Sequence, residues 1–412
     1  VDTTDPEMGG ATFSNINVDA IQEIQASSGV MPAEIGHGAA SFTNIITKSG
    51  TDQLHGSVFE FVRNAAFDAR NFFDRRSLAS PGRIPPFVRN EFGFTLGGPV
   101  VFPSLYNGRK RTYFFGQYQG FRQVLGTTQV FPVPTAEEKQ GINRTAFPGD
   151  VLSVPVSPLV APILARYPLP NDSQGAYGAR THATSSKVST VTDQFSVRID
   201  HRISDQAALF TRFNLNQVTG PLTNPSQTAI DPSFAIRFFD HQRNAGLRYT
   251  RTISPRFVFD TTLGYLRSTP NFPAINHTQP SIAFGDGLYE PFNSAVGSIF
   301  GSYGNLYQIV QNFAYTRGKH ALKMGWEARA NRDSTIFGVK PNGAYRFGGG
   351  VAYAQVDIPS ASGLNDIHVG DQLPDGLTGF LTASPESFSQ SVASPLVGQG
   401  ERFDEAAVRR DA

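Results

Sequence analysis

The feature that most constrains the fold of this chain is a strict alternation of apolar and polar residues, repeated in separate runs. The run from Gln194 to Ser204 is the clearest example. Its odd positions include Phe195, Val197 and Ile199, whereas its even positions are polar or charged. Side chains of a β-strand point alternately to two faces, so this pattern predicts strands with one apolar and one polar face.

Nine such runs follow one another along the chain, and the connections between them alternate in length. The runs lie at 56–63, 91–101, 111–122, 194–204, 209–216, 244–253, 257–265, 309–315 and 322–329. Short connections fall at 102–110, 204–205, 254–255 and 317–319, and long ones at 64–90, 123–191, 218–239 and 269–304. Membrane-length strands with short turns at one end and long loops at the other are typical of transmembrane β-barrels.

Composition supports a sheet that needs only one apolar face. Hydrophobic residues make up 39% and charged residues 17% of the 412 residues, both low for a soluble globular protein. The net charge of +1 argues against nucleic-acid binding, and the absence of Cys excludes disulfides and thiol chemistry. No apolar stretch approaches the length of a transmembrane helix.

The two faces of the runs predict where individual side chains point. Outward-facing apolar residues are expected at Val197, Ile199, Leu247, Phe259, Leu263 and Leu322. The aromatic residues Tyr249, Tyr265, Tyr315 and Trp326 lie among them, and an interfacial aromatic girdle explains some of these four. Inward-facing charges are expected at Arg198, Asp200, Arg202, Arg212, Arg248 and Asp260. These charges would solvate a lumen or pair with a plug; contact with a substrate is the alternative.

No local motif predicts catalysis, a cofactor or a metal ion. The histidines stand alone at positions 37, 55, 182, 201, 241, 277, 320 and 368, without an HxH or HExxH spacing. His37 lies between Gly36 and Gly38, which indicates a tight turn rather than a metal ligand. The glycines at 348–350 lack the rest of a phosphate-binding loop, and no G-x-S-x-G motif occurs. We therefore predict no catalytic, cofactor-binding or metal residues, no enzyme activity, and leave substrate-binding residues unassigned.

The two ends of the chain differ from the alternating region. The segment 18–29 is predicted as a short strand, and 32–51 as a glycine-containing turn followed by the strand Ser41–Lys48, in a compact α/β-like pattern. Near the other end, 379–390 could hold a further strand. The mid-pattern start at Val1 and the polar end of the chain indicate a piece of a longer protein.

Several stretches resemble a known family of receptors. VDAIQEIQ, AEIGHGAASFTNIITKSGT and HGSVFEFVRN resemble the end of the plug domain and the first barrel strand of TonB-dependent receptors, closest to the Oar-like group. NEFGFTLGGPV, RTYFFGQYQGFR and RIDHRISDQAALFTRF resemble the early barrel strands of that group. The resemblance covers residues 15–122 well and 190–330 more loosely.

The resemblance implies a fold, a location and a set of partners. Residues 1–53 would be the C-terminal part of a plug domain, and residues 54–412 the N-terminal part of an antiparallel transmembrane β-barrel with long extracellular loops. The complete barrel would have about 22 strands and lie in the bacterial outer membrane. The implied partners are outer-membrane lipid, an unknown imported substrate, and the TonB complex, contacted through a segment outside this chain.

Two other functions fit parts of the pattern. An adhesion or binding protein would use the long loops without active transport, and the plug-like 15–53 segment argues against it. A soluble all-β enzyme, such as a sandwich glycosidase, would bury its apolar faces under a second sheet. The alternating region shows no conspicuous carboxylate pair for such chemistry, and dependence on detergent would separate this alternative from the other two.

Overall fold

The computed structural model describes residues 18–29, 41–69, 86–222, 225–272, 279–294, 298–340 and 342–390. The first ten strands are β1 (Ile21–Ser28), β2 (Ser41–Thr47), β3 (His55–Asn64), β4 (Phe87–Pro99), β5 (Val101–Phe102), β6 (Tyr106–Asn107), β7 (Thr112–Pro132), β8 (Ile142–Asn143), β9 (Leu152–Ser153) and β10 (Thr181–Ser204). The others are β11 (Ala207–Leu222), β12 (Ile236–Ser254), β13 (Phe257–Ser268), β14 (Asn271–Phe272), β15 (Ser281–Phe284), β16 (Ser298–Arg317), β17 (His320–Val339), β18 (Ala344–Phe347) and β19 (Ser387–Ser389).

Helices are short. The α-helices are α1 (Ala161–Arg166), α2 (Pro225–Ile230) and α3 (Gly376–Leu381), and 3-10 turns occupy Val18–Ala20, Ala65–Phe67, Glu138–Gln140, Gly178–Arg180 and Pro232–Phe234. No helix in the described ranges is long and apolar enough to span a lipid bilayer.

The nine long strands form one antiparallel sheet in the order of the chain. β3, β4, β7, β10, β11, β12, β13, β16 and β17 each pair with the next, and the two-residue β14 also pairs with β12 and β16. Each of the nine predicted runs coincides with one of these strands. The predicted antiparallel sheet and the order of its strands are therefore confirmed.

Several strands extend beyond the predicted ones, so the predicted loop bounds were wrong. β7 and β10 pair continuously from Thr112–His201 to Pro132–Thr181, and their connection is 133–180 rather than 123–191. The connection 218–239 shortens to 223–235, and β16 begins at Ser298 rather than after residue 304. β4 begins at Phe87, inside the predicted loop 64–90, and β17 continues to Val339. The extra residues pair through their backbones and lack a continuous apolar face, which is why alternation did not find them.

The apolar face of the sheet is exposed and its polar face is buried. Leu247, Leu263 and Leu322 are 36%, 44% and 55% exposed, whereas Asn244 on the opposite face of β12 is 2% exposed. Ile199 is also exposed, Val197 and Phe259 are half-buried, and none of these six residues is buried. The prediction that they point outward is confirmed, because a second sheet or helix layer would have buried them. A soluble β-sandwich has the opposite arrangement.

Polar groups on the exposed face bond to one another. Thr261 donates to Gln311 Oε1 at 2.5 Å, and Gln311 Nε2 donates to the backbone oxygen of Asp260 at 2.9 Å. Aromatic rings flank the aliphatic residues near both ends, with Tyr265 and Tyr307 at 5.2 Å toward the loops and Phe257 and Phe313 stacked at 6.2 Å near the short turns. The exposed face therefore consists mainly of apolar side chains, and its polar groups Thr261 and Gln311 are hydrogen-bonded within the sheet.

The N-terminal segment forms a hairpin. β1 and β2 pair antiparallel from Ile21–Thr47 to Ser28–Ser41, which confirms both predicted strands. The α/β-like interpretation was wrong for the described part of residues 1–53, which holds this hairpin and a 3-10 turn at 18–20. The glycine turn around His37 lies outside the described residues.

The long connections fold together around one hydrophobic core, which we call the cap. It comprises residues 133–180, 225–235, 279–294 and 342–390, and its buried side chains include Val133, Leu152, Val160, Leu164, Tyr167, Ile230, Phe234, Ile282, Phe284, Tyr289, Phe292, Phe347, Ile358, Leu377, Phe380 and Leu381. The parallel pair β15–β18 joins two of these segments, and β19 pairs with the other side of β18.

The predicted strand at 379–390 was partly wrong. Residues 376–381 form α3, all six of whose residues are buried, and only Ser387–Ser389 is a strand. Asp375 caps the helix by accepting from the backbone N–H of Thr378 at 2.8 Å. The helix has no polar face because the cap surrounds it, so it shows no amphipathic period.

Candidate functional site: the inner face and the cap

A row of uncharged polar side chains crosses the inner face of the sheet. Ladder pairing sets one residue of each strand beside the next, in the order Ser57, Thr95, Gln117, Ser196, Asn214 and Asn244. Ser196 Oγ donates to Asn214 Oδ1 at 2.6 Å, and Asn214 Nδ2 donates to Asn244 Oδ1 at 3.3 Å. Within the described ranges, Gln117 Oε1 and Asn244 Nδ2 are buried without a hydrogen-bond partner. The row therefore contains one acceptor and one donor that no described residue satisfies.

Charged residues of the inner face lie nearer the short turns, where the alternation predicted them. Arg198 donates to both carboxylate oxygens of Asp200 at 2.7 and 2.8 Å. Arg248 pairs with Asp260 across β12 and β13, and Arg202 pairs with Asp205 at 2.8 Å. Each pair keeps a carboxylate beside a guanidinium, so the inner face carries little unbalanced charge here.

Arg212 is the exception among the predicted inward charges. It lies directly opposite Arg198 in the β10–β11 ladder. Its Nη2 donates to Asn244 Oδ1 at 3.5 Å, and its Nε is buried without a partner among the described residues. A buried guanidinium without a carboxylate is costly, and it marks a place where an anionic or carbonyl group from another segment would be stabilised.

The N-terminal hairpin contacts this face. Arg198 Nη1 donates to the backbone oxygen of Thr47 at 2.5 Å, and Thr47 itself is buried. The contact joins one of the predicted inward charges to the N-terminal hairpin. Beyond Thr47, Gly50 lies so close to the Phe114 and Gly98 carbonyls that a Cβ would be 2.2 and 2.7 Å from them, which excludes larger residues. Asp52 then accepts from Lys110 N at 2.9 Å and from the Tyr113 hydroxyl at 3.0 Å.

A cavity of about 370 Å³ opens on the same side, near the short turns. Its charged lining includes Arg111, Asp200, Arg202, Asp205 and Arg248. Three of these were predicted as inward charges. Apolar side chains such as Leu209 and Phe210 also line the cavity, so its lining is mixed in character, with three guanidinium groups and two carboxylates.

Buried polar contacts hold the cap together between distant segments. Asn143 Nδ2 donates to Asp375 Oδ2 at 2.9 Å, and Arg180 pairs with the buried carboxylate of Glu138 at 2.6 Å. Glu290 accepts from Ser226 Oγ at 2.6 Å and from Gln227 Nε2 at 3.1 Å.

Burial changes the titration of several cap residues. Desolvation raises the pKa values of the Tyr167 and Tyr289 hydroxyls. It lowers the pKa of Lys139, whose Nζ donates to the backbone oxygen of Tyr167 at 2.5 Å. Hydrogen bonds from Ser362 and Asn365 lower the pKa of Asp150. These groups serve cohesion between cap segments.

The histidines lie apart from one another in the described ranges. His182 Nδ1 lies 2.7 Å from the backbone oxygen of Leu169, His201 Nδ1 lies 2.7 Å from Thr112 Oγ1, and His37 and His277 lie outside those ranges. The described residues contain no group of three or more His, Cys, Asp or Glu side chains that could hold a metal ion.

Sequence reasoning missed the cap core and the polar row. The cap brings together residues more than 200 positions apart, such as Asn143 and Asp375. Local sequence patterns do not predict contacts between residues so far apart in the chain. The polar row was detectable in principle, because its members lie at the inward-facing, polar positions of the alternating runs. These members include Gln117, Ser196, Asn214 and Asn244. What the sequence lacked was the ladder register that sets them in line.

Membrane-length strands with an exposed apolar face and a buried polar face define an outer-membrane β-barrel class of protein. Residues 46–406 match the model of the outer membrane beta barrel domain family, so this chain belongs to that family. This confirms the fold class and the bacterial outer-membrane location.

Two known proteins resemble parts of it. Over 123 residues the chain is 26% identical to the TonB-dependent transporter Oar of Myxococcus xanthus, a match that covers 30% of this chain and 12% of that protein. The crystal structure of the outer membrane transporter YddB from Escherichia coli aligns with a TM-score of 0.52 and 9% identity, covering 82% of this chain and 38% of that one. At this identity the structural likeness shows the fold alone. The chain spans much less than half of either protein.

Proposed function

We propose that this chain forms the end of the plug and the first barrel strands of a TonB-dependent receptor that imports a substrate without covalent catalysis. The observation that carries the proposal is the hydrogen bond from Arg198, on the inner face of the sheet, to the backbone of Thr47 in the N-terminal hairpin. It brings the end of the N-terminal hairpin, at Thr47, to the polar face, which is where a plugged barrel would have its plug. The partial likeness to the Oar transporter supports the same function.

The Arg198 contact suits a plug that has to move. Arg198 keeps both hydrogen bonds to Asp200 when the hairpin leaves, so the contact can break without leaving an unpaired charge. The polar row beside it offers uncharged donors and acceptors to whatever replaces the hairpin. Passage of a polar substrate along this wall would exchange hydrogen bonds with water rather than lose them.

We further propose that the short turns face the periplasm and the cap faces outside the cell. The hairpin leads into β3 at the short-turn end of the sheet, where Asp52 bonds to Lys110 and Tyr113. In a plugged receptor the plug enters the barrel from the periplasm.

Binding of the TonB periplasmic domain tests the transport function. The full-length protein, purified in detergent, is expected to bind that domain. In planar bilayers it should conduct little current, and deletion of the plug through residue 50 should open a large conductance. A protein that binds no TonB domain, or whose conductance is unchanged by the deletion, is not a plugged TonB-dependent transporter.

Labelling of intact cells tests the orientation independently. Leu364 in the cap is 88% exposed, and the Asp205 side chain in a short turn is 92% exposed. A membrane-impermeant maleimide should label Leu364→Cys and spare Asp205→Cys. Labelling of Asp205→Cys alone would reverse the proposed orientation.

One observation favours adhesion as a second candidate function. The cap has its own hydrophobic core, built from four segments of the chain, which is more structure than a passage for a small substrate requires. An adhesin would bind a partner molecule through the cap and would not bind the TonB domain. The TonB-binding experiment therefore also separates these two functions.

A further inference from the structure

Three outward-facing arginines form one row near the loop end of the sheet. The ladders pair Arg243 with Arg267, Arg267 with Asn305, and Asn305 with Arg332, across β12, β13, β16 and β17. Each residue of the row stands four positions from a member of the outward set Leu247, Leu263, Ile309 and Ala328, which are themselves paired in line. Because four positions preserve the face of a strand, the row lies on the lipid-facing surface.

The row lies at the edge of the apolar surface. Tyr265 and Tyr307, two positions closer to the short turns, form the aromatic pair at the loop end, and the Tyr265 hydroxyl donates to Asn305 Oδ1 at 3.0 Å. On β12 the next outward arginine is Arg251, and the eight positions between it and Arg243 span about 27 Å along the strand. With the usual strand tilt this is about 20 Å of membrane depth, close to the height of the apolar band of a membrane barrel.

Among the described residues the positive charge of this row has no acidic partner. In the described part of the chain none of the three arginines forms an ion pair, and Arg267 Nη1 donates only to the neutral Asn305 Oδ1, at 3.2 Å. The outward positions beside them include Leu215, His241, Ala245, Tyr265, Tyr303, Ala330 and Ser334, none of which is acidic. By contrast Arg122, on the same face of β7, lies 2.7 Å from Asp193. Like charges set directly opposite in a ladder repel each other, so Arg243 and Arg267 favour an anion between them.

We propose that Arg243, Arg267 and Arg332 bind the phosphate groups of a membrane lipid headgroup in the leaflet at the loop end. Guanidinium groups match phosphate oxygens in two-point hydrogen bonds. The row spans three strand spacings, about 14 Å, which accommodates a headgroup carrying two phosphates. A lipid suits the site better than free phosphate, because the apolar surface around Leu247 and Leu263 continues directly below the row and can contact acyl chains.

Native mass spectrometry of the full-length protein tests this site. The probe is lipid A, a glycolipid with two phosphates, titrated into the protein in detergent. This choice rests on the proposed orientation, which the maleimide labelling tests separately. The triple substitution R243Q/R267Q/R332Q should lower the association constant about one hundredfold, since each arginine near an anionic membrane surface contributes about fivefold. The matched control is R251Q, an outward arginine at the other end of β12, which should leave binding unchanged.

Further measurements distinguish the effect of charge from the effect of the lipid and from loss of folding. The R243K/R267K/R332K variant keeps the charge and should retain most of the binding, and retained heat-modifiable migration in electrophoresis shows that each variant is folded. Enzymatically dephosphorylated lipid A should bind no better to the wild type than to the glutamine variant. Equal binding by wild type and the folded glutamine variant overturns the proposal. Complete displacement of lipid A by millimolar inorganic phosphate would also overturn it, in favour of a free-anion site.

Discussion

At the scale of single residues, neighbours on one strand of this protein face opposite environments. Leu247 is outward and exposed, and Arg248 next to it pairs with Asp260 on the inner face. Leu247→Arg in the full-length protein should destabilise the folded state by roughly 2–4 kcal/mol if the residue lies near the bilayer midplane. Arg248→Leu should cost less, because the Arg248 side chain is 53% exposed and Asp260 keeps the hydrogen bond from Asn312 Nδ2 at 3.0 Å. Urea titration of the folded, heat-modifiable band measures both, and equal effects would contradict the assignment of the faces.

Two adjacent glutamates of the cap offer a second comparison. Glu138 is buried beside Arg180, whereas the Glu137–Arg144 pair is more than half exposed on both sides. Glu138→Gln should destabilise the cap by about 2–4 kcal/mol, because it leaves a largely buried guanidinium without its counterion. Glu137→Gln should have little effect, since exposed ion pairs are screened by water. The hydrogen-exchange rates of residues 133–180 should rise in Glu138→Gln and not in Glu137→Gln. The same rise in both variants would mean that burial of the ion pair does not determine how much stability is lost.

At the scale of elements, the sequence predicted the strands far better than their ends. Alternation located β10 from Gln194 onward because Phe195, Val197 and Ile199 must face lipid. The same strand begins at Thr181, where Ser and Thr dominate and the backbone pairing with β7 alone holds it in place. Periodicity reports the part of a strand that crosses the apolar band and is silent about its extension into water.

Elements of the cap could not be predicted for a different reason. α3 is six residues long and buried on every side, so neither length nor amphipathicity marks it as a helix. Its only local signal is the N-cap, Asp375 followed three positions later by Thr378. The short strands β15 and β18 pair in parallel across 60 residues of chain, a partnership set by the packing of Phe284 and Phe347 against Phe380.

The joint between two cap segments should respond to acid. Asp150 accepts from Ser362 Oγ at 2.5 Å and Asn365 Nδ2 at 2.8 Å, and these bonds lower its pKa. A carboxylate with a lowered pKa in the folded state contributes its full stabilisation above the unfolded value of about 4. That contribution shrinks as the pH falls from there toward the lowered pKa. Hydrogen exchange at Ala361, which bonds to Val151, should therefore rise below pH 4, and Asp150→Asn should remove this dependence. An unchanged acid response in that variant would assign it to another group.

At the scale of the whole molecule, the chain contains two parts with opposite polarity. The sheet exposes its apolar side chains and buries Asn244, Gln117 and Ser196, because lipid rather than protein surrounds it. The cap buries aromatic and aliphatic residues such as Phe380 and Leu152, as a water-soluble domain does. The long β7–β10 hairpin connects them, since it crosses the apolar band and ends in the cap. The chain therefore has one part suited to lipid, the sheet, and another part suited to water, the cap.

The two outer edges of the sheet determine how the chain behaves when it is expressed alone. In the described residues the outer edges of β3 and β17 have no ladder partner, and Val58 and Phe61 on β3 are 87% and 63% exposed. Unpaired backbone groups cost several kcal/mol each in hydrocarbon, and an open apolar edge in water recruits other strands. The chain of residues 1–412 expressed alone should therefore need detergent and self-associate through these two edges. The full-length protein, in which we propose that further strands cover both edges, should be monomeric in the same detergent. Light scattering distinguishes these states, and a monodisperse monomer of the 412-residue chain in detergent-free buffer, with one cooperative unfolding transition, would show that the sheet closes without further strands.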